Sequence, residues 1–140
     1  MRLVLDTDVI VAALRSPRGA SAALLRAVRR DRATMVLSTP LLLEYEAVCQ
    51  REAHRLAAGL AGADVESFLD GLARLAEPVT VHLLWRPQLR DAADEMVLEA
   101  AVNGQAQAIV GFNHRDYGNA PSRFGILLLL PAEAYRRIEA

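Results

Sequence analysis

The stretch MRLVLDTDVIV, residues 1–11, decides the fold. Leu3, Val4 and Leu5 make a short apolar run of the kind that forms a strand buried on both faces, and the run stops at Asp6. Thr7 and Asp8 are good helix N-caps, and Val9 to Leu14 then reads as a helix. The chain therefore opens with a strand-to-helix turn that carries two carboxylates. In open α/β sheets, turns at the carboxyl ends of strands are where ligand-binding and catalytic groups gather.

Working outward, Ser16-Pro17-Arg18-Gly19 breaks the first helix, and residues 20–30 form a second with Ala23, Leu24, Ala27 and Val28 on its apolar face. Thr34 to Leu37 reads as a second strand, and Ser38-Thr39-Pro40 as the start of the helix that carries Glu44 and Glu46. Glu46 is expected to face solvent. Residues 50–62 are helical but interrupted at Gly59 and Gly62, and Asp64 is expected to cap a helix over 65–76. After Pro78, residues 79–85 are a third strand candidate. Asp91 and Asp94 open a helix from Glu95 to Asn103 that Gly104 ends. Residues 108–110 are a fourth strand, 113–117 a polar loop, 125–130 a final strand, and Pro131 starts a terminal helix. Strands alternating with helical patterns imply an α/β fold: one domain, 1–140, with a mostly parallel sheet of four to five strands and helices on both faces.

Composition narrows the chemistry. With 140 residues, 53% of them hydrophobic, the chain can bury a substantial core. Its single cysteine, Cys49, excludes an internal disulfide and a cysteine-rich zinc site, and is expected to be a packed helix residue. No run reaches transmembrane length and the apolar start carries two acids, so no membrane association is expected and the cytoplasm is the default location. The net charge is −1, but residues 1–32 carry seven arginines against three aspartates, so the amino-terminal part is the basic one. All sixteen basic residues are arginine, which excludes chemistry that needs a lysine.

Acids stand at several strand ends or helix starts: Asp6, Glu44, the cluster Asp91, Asp94 and Glu95, and Asp116 in the loop after the fourth strand. In a parallel sheet, carboxyl ends of strands point one way, so acids distant in sequence can converge on one edge. Gathered like charges raise one another's pKa unless a cation sits among them. Hard cations such as Mg²⁺ or Mn²⁺ take oxygen ligands of this sort, and activation of water for attack on a phosphodiester is the reaction such a site serves. Acids at helix starts are also favoured by capping and the macrodipole alone, at about 0.3–1 kcal/mol each, so Asp64, Asp91 and Asp94 have a purely structural explanation as well.

A resemblance joins these pieces. LVLDTDVIVAAL at 3–14, SPRGAS at 16–21, LSTPLLLEYEAV at 37–48, RDAADEMVLEAAVNGQAQAIV at 90–110, NHRDY at 113–117 and FGILLLLPAEAYRRI at 124–138 together resemble the PIN domain. More specifically, they resemble the VapC-like toxin components of type II toxin-antitoxin modules. The resemblance implies an endoribonuclease dependent on Mg²⁺ or Mn²⁺, held inactive by a cognate antitoxin protein, with a homodimer expected. It implies that Asp6 and Glu44 are the first two acids of a metal-binding quartet. The third falls at Asp94-Glu95, with Glu95 the better aligned, and the fourth at Asp116. Gly111 stands where Thr or Ser is usual, and Asn113 where a further acid is expected. Asn113 can still offer a neutral oxygen to the metal's surroundings, and Asp8, where Asn is common, restores the charge.

For substrate contacts, Arg15 and Arg18 flank the 16–21 turn, expected beside the mouth at Asp6, with Ser21 near enough for backbone amides to approach a phosphate. Arg26, Arg29 and Arg30 form a basic stripe. His114 is a further candidate for touching RNA. The three histidines have no ligand spacing, and Phe68, Leu69 and Trp85 read as core or dimer surface. Aspartate-nucleophile phosphatases and response-regulator receivers share the early acid pair, but both need a lysine. The remaining alternative is a PIN-like binding module without turnover that acts through a protein partner.

Overall fold

The computed structural model describes residues 1–82 and 88–140. Its centre is β1 (Arg2–Leu5), where Leu3, Val4 and Leu5 are all fully buried. Successive side chains on a strand point to opposite faces, so burial of all three means that both faces of the sheet are covered. The same holds for β4 (Ala108–Val110).

The chain runs from β1 through α1 (Thr7–Arg15) and α2 (Ala20–Arg29) to β2 (Thr34–Ser38). It continues through α3 (Thr39–Cys49), α4 (Glu52–Ala58) and α5 (Gly62–Leu75) to β3 (Glu77–Val79), then through α6 (Ala92–Asn103) to β4. A short 3₁₀ turn (His114–Asp116) and α7 (Ala120–Arg123) lead to β5 (Leu127–Leu129), and α8 (Pro131–Glu139) follows. The five strands are all parallel, in the order β3-β2-β1-β4-β5. Parallel neighbours need crossover connections, which the intervening helices supply. The expected α/β sandwich is the observed one.

The strand order matters for the site. From β1 the chain builds outward to β2 and β3, then returns to lay β4 and β5 on the other side of β1. The direction reverses between β1 and β4, and at that point the connections leave a crevice at the carboxyl ends of the strands. Asp6 follows β1 and Gly111 follows β4, so both stand at its lip.

Several local expectations change. Asp6 itself, not Thr7 or Asp8, is the N-cap of α1, its side chain accepting from the Asp8 N–H. Asp64 works from the third position of α5, accepting from the Ala61 N–H at 2.9 Å, and the helix starts earlier than Asp64. The third strand starts at Glu77 and runs through Pro78, because its register pairs Glu77–Val79 with Val36–Ser38. An edge strand tolerates a proline, and this edge is also tied by an Arg2–Glu77 ion pair. Residues 83–85 of the predicted strand, Trp85 among them, lie outside the described residues. Cys49 is fully buried at the end of α3, Glu46 is exposed, and the core gathers Ile10, Leu24, Met35, Leu41, Tyr45 and Leu98 around the sheet. Among the described residues no helix is long and apolar enough to cross a membrane.

Candidate active site

Asp6 ends β1 and is 9% exposed. Its N–H donates to the Val110 carbonyl at 2.8 Å, which extends the β1–β4 ladder by one residue and anchors the carboxylate over the crevice. Two tyrosines hold this corner. The Tyr45 hydroxyl, fully buried on α3, donates to the Leu5 carbonyl and fixes the strand end. The Tyr117 hydroxyl donates to Asp6 Oδ2 at 2.6 Å. Burial and the Asp6 charge push the Tyr117 phenol far above its usual range, so it stays a donor. Gly111 makes this fit possible: a Cβ there would stand 3.2 Å from Asp6 Cβ and 3.3 Å from its Oδ2.

Other carboxylates close on Asp6. Asp8, in the first turn of α1, accepts from the Phe112 N–H at 3.2 Å through Oδ2, while its Oδ1 is buried without a partner among the described residues. Burial, then the Asp6 charge, push Asp8 up to about 6. Asp94, in the first turn of α6, is pushed up to about 7 by burial, then by Asp6, Asp91, Asp116 and Asp8. Burial also raises Asp6 itself, against the lowering effect of the Tyr117 hydroxyl and the amides of Asp8 and Thr7. Raised carboxyl pKa values produced jointly by burial and by one another mark a group of anions held together without compensation.

The sequence candidates divide on this geometry. Asp6, Asp8, Asp91, Asp94 and Asp116 belong to one electrostatic group, Asp91 standing in it as the N-cap of α6. Glu95 does not share it: buried at 3% exposure, it turns back and accepts from the Gln88 and Leu89 N–H groups, clamping the segment that leads into α6. Asp94 and Glu95 are adjacent on a helix, about 100° apart around its axis; Asp94 lines the cavity described below, while Glu95 keeps its second oxygen buried without a partner among the described residues. Glu44 is half-buried on α3 and, like Asp6 and Asp8, is not among the residues that line the cavity described below; it is not among the charges that raise Asp6, Asp8 or Asp94. Asp116 is exposed on the 3₁₀ turn, and Asn113 serves it directly, its amide donating to Asp116 Oδ2 at 2.7 Å. The His114 ring meets the Gly111 carbonyl at 2.8 Å, which bends the loop after β4.

Arg15 is not beside Asp6. Helix α1 begins at Thr7 and runs away from the strand ends, so eight residue steps carry Arg15 about 12 Å along its axis. Ser21 is buried in α2, and Arg26 donates to the Pro17 carbonyl at 3.0 Å. Residues that sequence reasoning passed over take the place of these candidates. Phe112, half-exposed, follows Gly111 at the end of β4, and Tyr117 reaches Asp6 across 111 positions. The only advance sign was their membership of the 111–117 loop.

Asp91, Asp94 and Asp116 line a cavity of about 650 Å³ between the start of α6 and the 115–123 segment. Among the described residues no three His, Cys, Asp or Glu side chains stand close enough to form a ready metal cage. The donor set is nonetheless all oxygen, with an orphaned buried oxygen on Asp8 and mutually repelling neighbours, which suits a hard divalent cation.

Comparison with known proteins agrees with this architecture. A chain in the crystal structure of VapBC2 from Rickettsia felis, bound to a DNA fragment from its promoter, superposes with a TM-score of 0.66 at 15% identity, covering 91% of this chain and 97% of that one. No curated protein matches the sequence. The family model for the PIN domain matches residues 2–115, four-fifths of the sequence. The chain belongs to the PIN domain family, with a VapC-like fold.

Proposed function

We propose that this protein is a metal-dependent endoribonuclease, the toxin of a toxin-antitoxin pair. The observation that carries the reading is the gathering of Asp6, Asp8, Asp94 and Asp116 at the switch point of a parallel sheet, with the pKa values of Asp6, Asp8 and Asp94 raised by burial. Membership of the PIN family and similarity to a VapBC chain support it, and by the same likeness an antitoxin protein is the expected partner.

In this reading Asp6, Asp8, Asp94 and Asp116 hold Mg²⁺ or Mn²⁺. Such a cation, when bound, supplies an activated water and positive charge for the entering and leaving oxygens of the phosphodiester. The chain's own residues supply the arrangement. Tyr117 fixes Asp6 Oδ2, Asp6 Oδ1 takes only the long 3.5 Å bond from the Asp8 N–H and is the oxygen better placed for a ligand, and Tyr45 keeps the strand end from shifting beneath it. The Phe112 N–H orients Asp8 in the same way. The exposed Phe112 ring offers an apolar face on which a base can stack. Asn113 holds Asp116 on the 3₁₀ turn, so the neutral residue acts through its neighbour's carboxylate.

Cleavage of a fluorogenic RNA by wild type and Asp6→Asn, prepared identically and assayed with Mn²⁺, with Mg²⁺ and with EDTA, tests this. Metal-dependent cleavage that disappears in Asp6→Asn is expected. Equal cleavage by both proteins, or none by wild type with either metal, contradicts it and favours the binding module.

A further inference from the structure

The cavity beside the carboxylates holds more than acids. Arg90, Arg115 and Arg123 line it together with Asp91, Asp94 and Asp116, three cations and three anions around one space. All three arginines are exposed, and none pairs with a carboxylate among the described residues, where the ion pairs are Arg2–Glu77 and Arg32–Glu139. Opposite charges that share a cavity and stay unpaired are each left available to a ligand. The volume, about 650 Å³, falls within the range of about 300–1,000 Å³ typical of pockets that enclose a small-molecule-sized group, enough for a nucleotide unit.

The two kinds of charge also differ in what they can do. The aspartates belong to the group that meets Asp6, through Asp94. The guanidinium groups are planar forks suited to phosphate oxygens. Arg115 flanks Asp116, and Arg123 closes α7, the short helix between β4 and β5, so both lie on the segment that also carries Tyr117. Phosphates seated on them would stand next to the carboxylate group without occupying it.

We infer that Arg90, Arg115 and Arg123 form a phosphate-binding subsite for a single nucleic-acid strand, which enters the crevice over α7 and the start of α6 rather than over the basic 15–30 region. The inference rests on the nuclease reading for the identity of the strand. Its consequence is a division of labour within one cavity. The arginines hold backbone phosphates flanking the scissile one, and the aspartates act at the scissile one.

Fluorescence anisotropy of a labelled single-stranded RNA tests the subsite without requiring turnover. Wild type, Arg115→Gln/Arg123→Gln and the charge-matched control Arg136→Gln/Arg137→Gln are compared in EDTA and in Ca²⁺, over a range of salt concentrations. The two control arginines are exposed on α8. The expected result is an affinity about tenfold lower for the 115/123 variant, with the salt slope reduced by about 1.4, as for two lost single-strand phosphate contacts, and a control like wild type. Equal losses in variant and control, no loss in the variant, or no RNA binding by wild type in either condition overturns the subsite. Mn²⁺-dependent cleavage by the same wild-type preparation reports separately on the nuclease reading, so the two can fail independently. Matched thermal unfolding of the variant verifies its fold.

Discussion

The Tyr117 hydroxyl donates to Asp6 Oδ2 at 2.6 Å, joining the loop after β4 to the end of β1 across 111 residues. The bond is the strongest of the influences that hold Asp6 toward its charged form against burial. Tyr117→Phe keeps the ring and removes the bond. A hydrogen bond to a charged group is worth about 1.5–3 kcal/mol, and a loss toward the lower end is expected in chemical denaturation. The specific signature is in pH: without the donor, Asp6 rises further, so the acid limb of RNA cleavage moves to higher pH. A variant that is destabilised but keeps the wild-type pH profile would assign Tyr117 to packing alone.

Gly111 lies against Asp6 closely enough that a methyl group would stand 3.2 Å from Asp6 Cβ. Asp6 cannot move away, since Tyr117 and the Val110 carbonyl hold it at both ends. Gly111→Ala is therefore expected to cost about 1–3 kcal/mol by overpacking and to weaken Mn²⁺ binding, both measurable by thermal unfolding with and without the ion. An unchanged melting temperature would mean that the strand end adjusts freely.

The raised carboxyl groups set a direction for the pH dependence of stability in the metal-free protein. Asp8 and Asp94 bind protons more tightly folded than unfolded, with folded values of about 6 and about 7. The folded state therefore holds more protons between about pH 4 and 7, and unfolding free energy falls as pH rises through that window. Their contribution is fully present below about pH 4, the unfolded value, and is lost once both groups ionise. Urea unfolding in EDTA is expected to show lower stability at pH 8 than at pH 5, all else equal, and Mn²⁺ is expected to restore more at pH 8. A flat or rising profile contradicts the arrangement.

Adjacent residues Asp94 and Glu95 should behave oppositely. Asp94→Asn removes an uncompensated charge, so it should stabilise the metal-free protein at pH 8 while abolishing metal-dependent cleavage, the trade expected at a functional site. Glu95→Ala strips a buried acceptor from the Gln88 and Leu89 amides and should destabilise at every pH, by about 1–3 kcal/mol for each donor left buried. Denaturation of both variants in EDTA, followed by the RNA assay, separates the two roles.

How much of this was legible in sequence depended on whether a feature is local. The run Leu3–Leu5 ending at Asp6 was readable because a strand buried on both faces needs continuous apolar residues, and the alternation of strands and helices then fixed a parallel sheet. Helix α7 was missed because four residues, one of them Pro121, carry no period. Nearness in sequence puts Arg15 beside Asp6, yet a helix of nine residues transports its end away from its start. The choice between Asp94 and Glu95 turned on helix rotation within one turn, which flanking residues do not specify. The Tyr117–Asp6 bond and the arginines of the cavity needed tertiary structure, since nothing local tells a loop tyrosine which strand end it will meet.

The central claim is that the aspartates gathered between β1 and β4 are a divalent-cation site, and calorimetric titration of Mn²⁺ into wild type and Asp94→Asn at pH 8 tests it most directly. Saturable binding by wild type, weakened about tenfold or more in a folded Asp94→Asn, is the expected result, because removing a carboxylate ligand removes both charge and coordination. No binding by wild type, or equal binding by the two proteins, contradicts it.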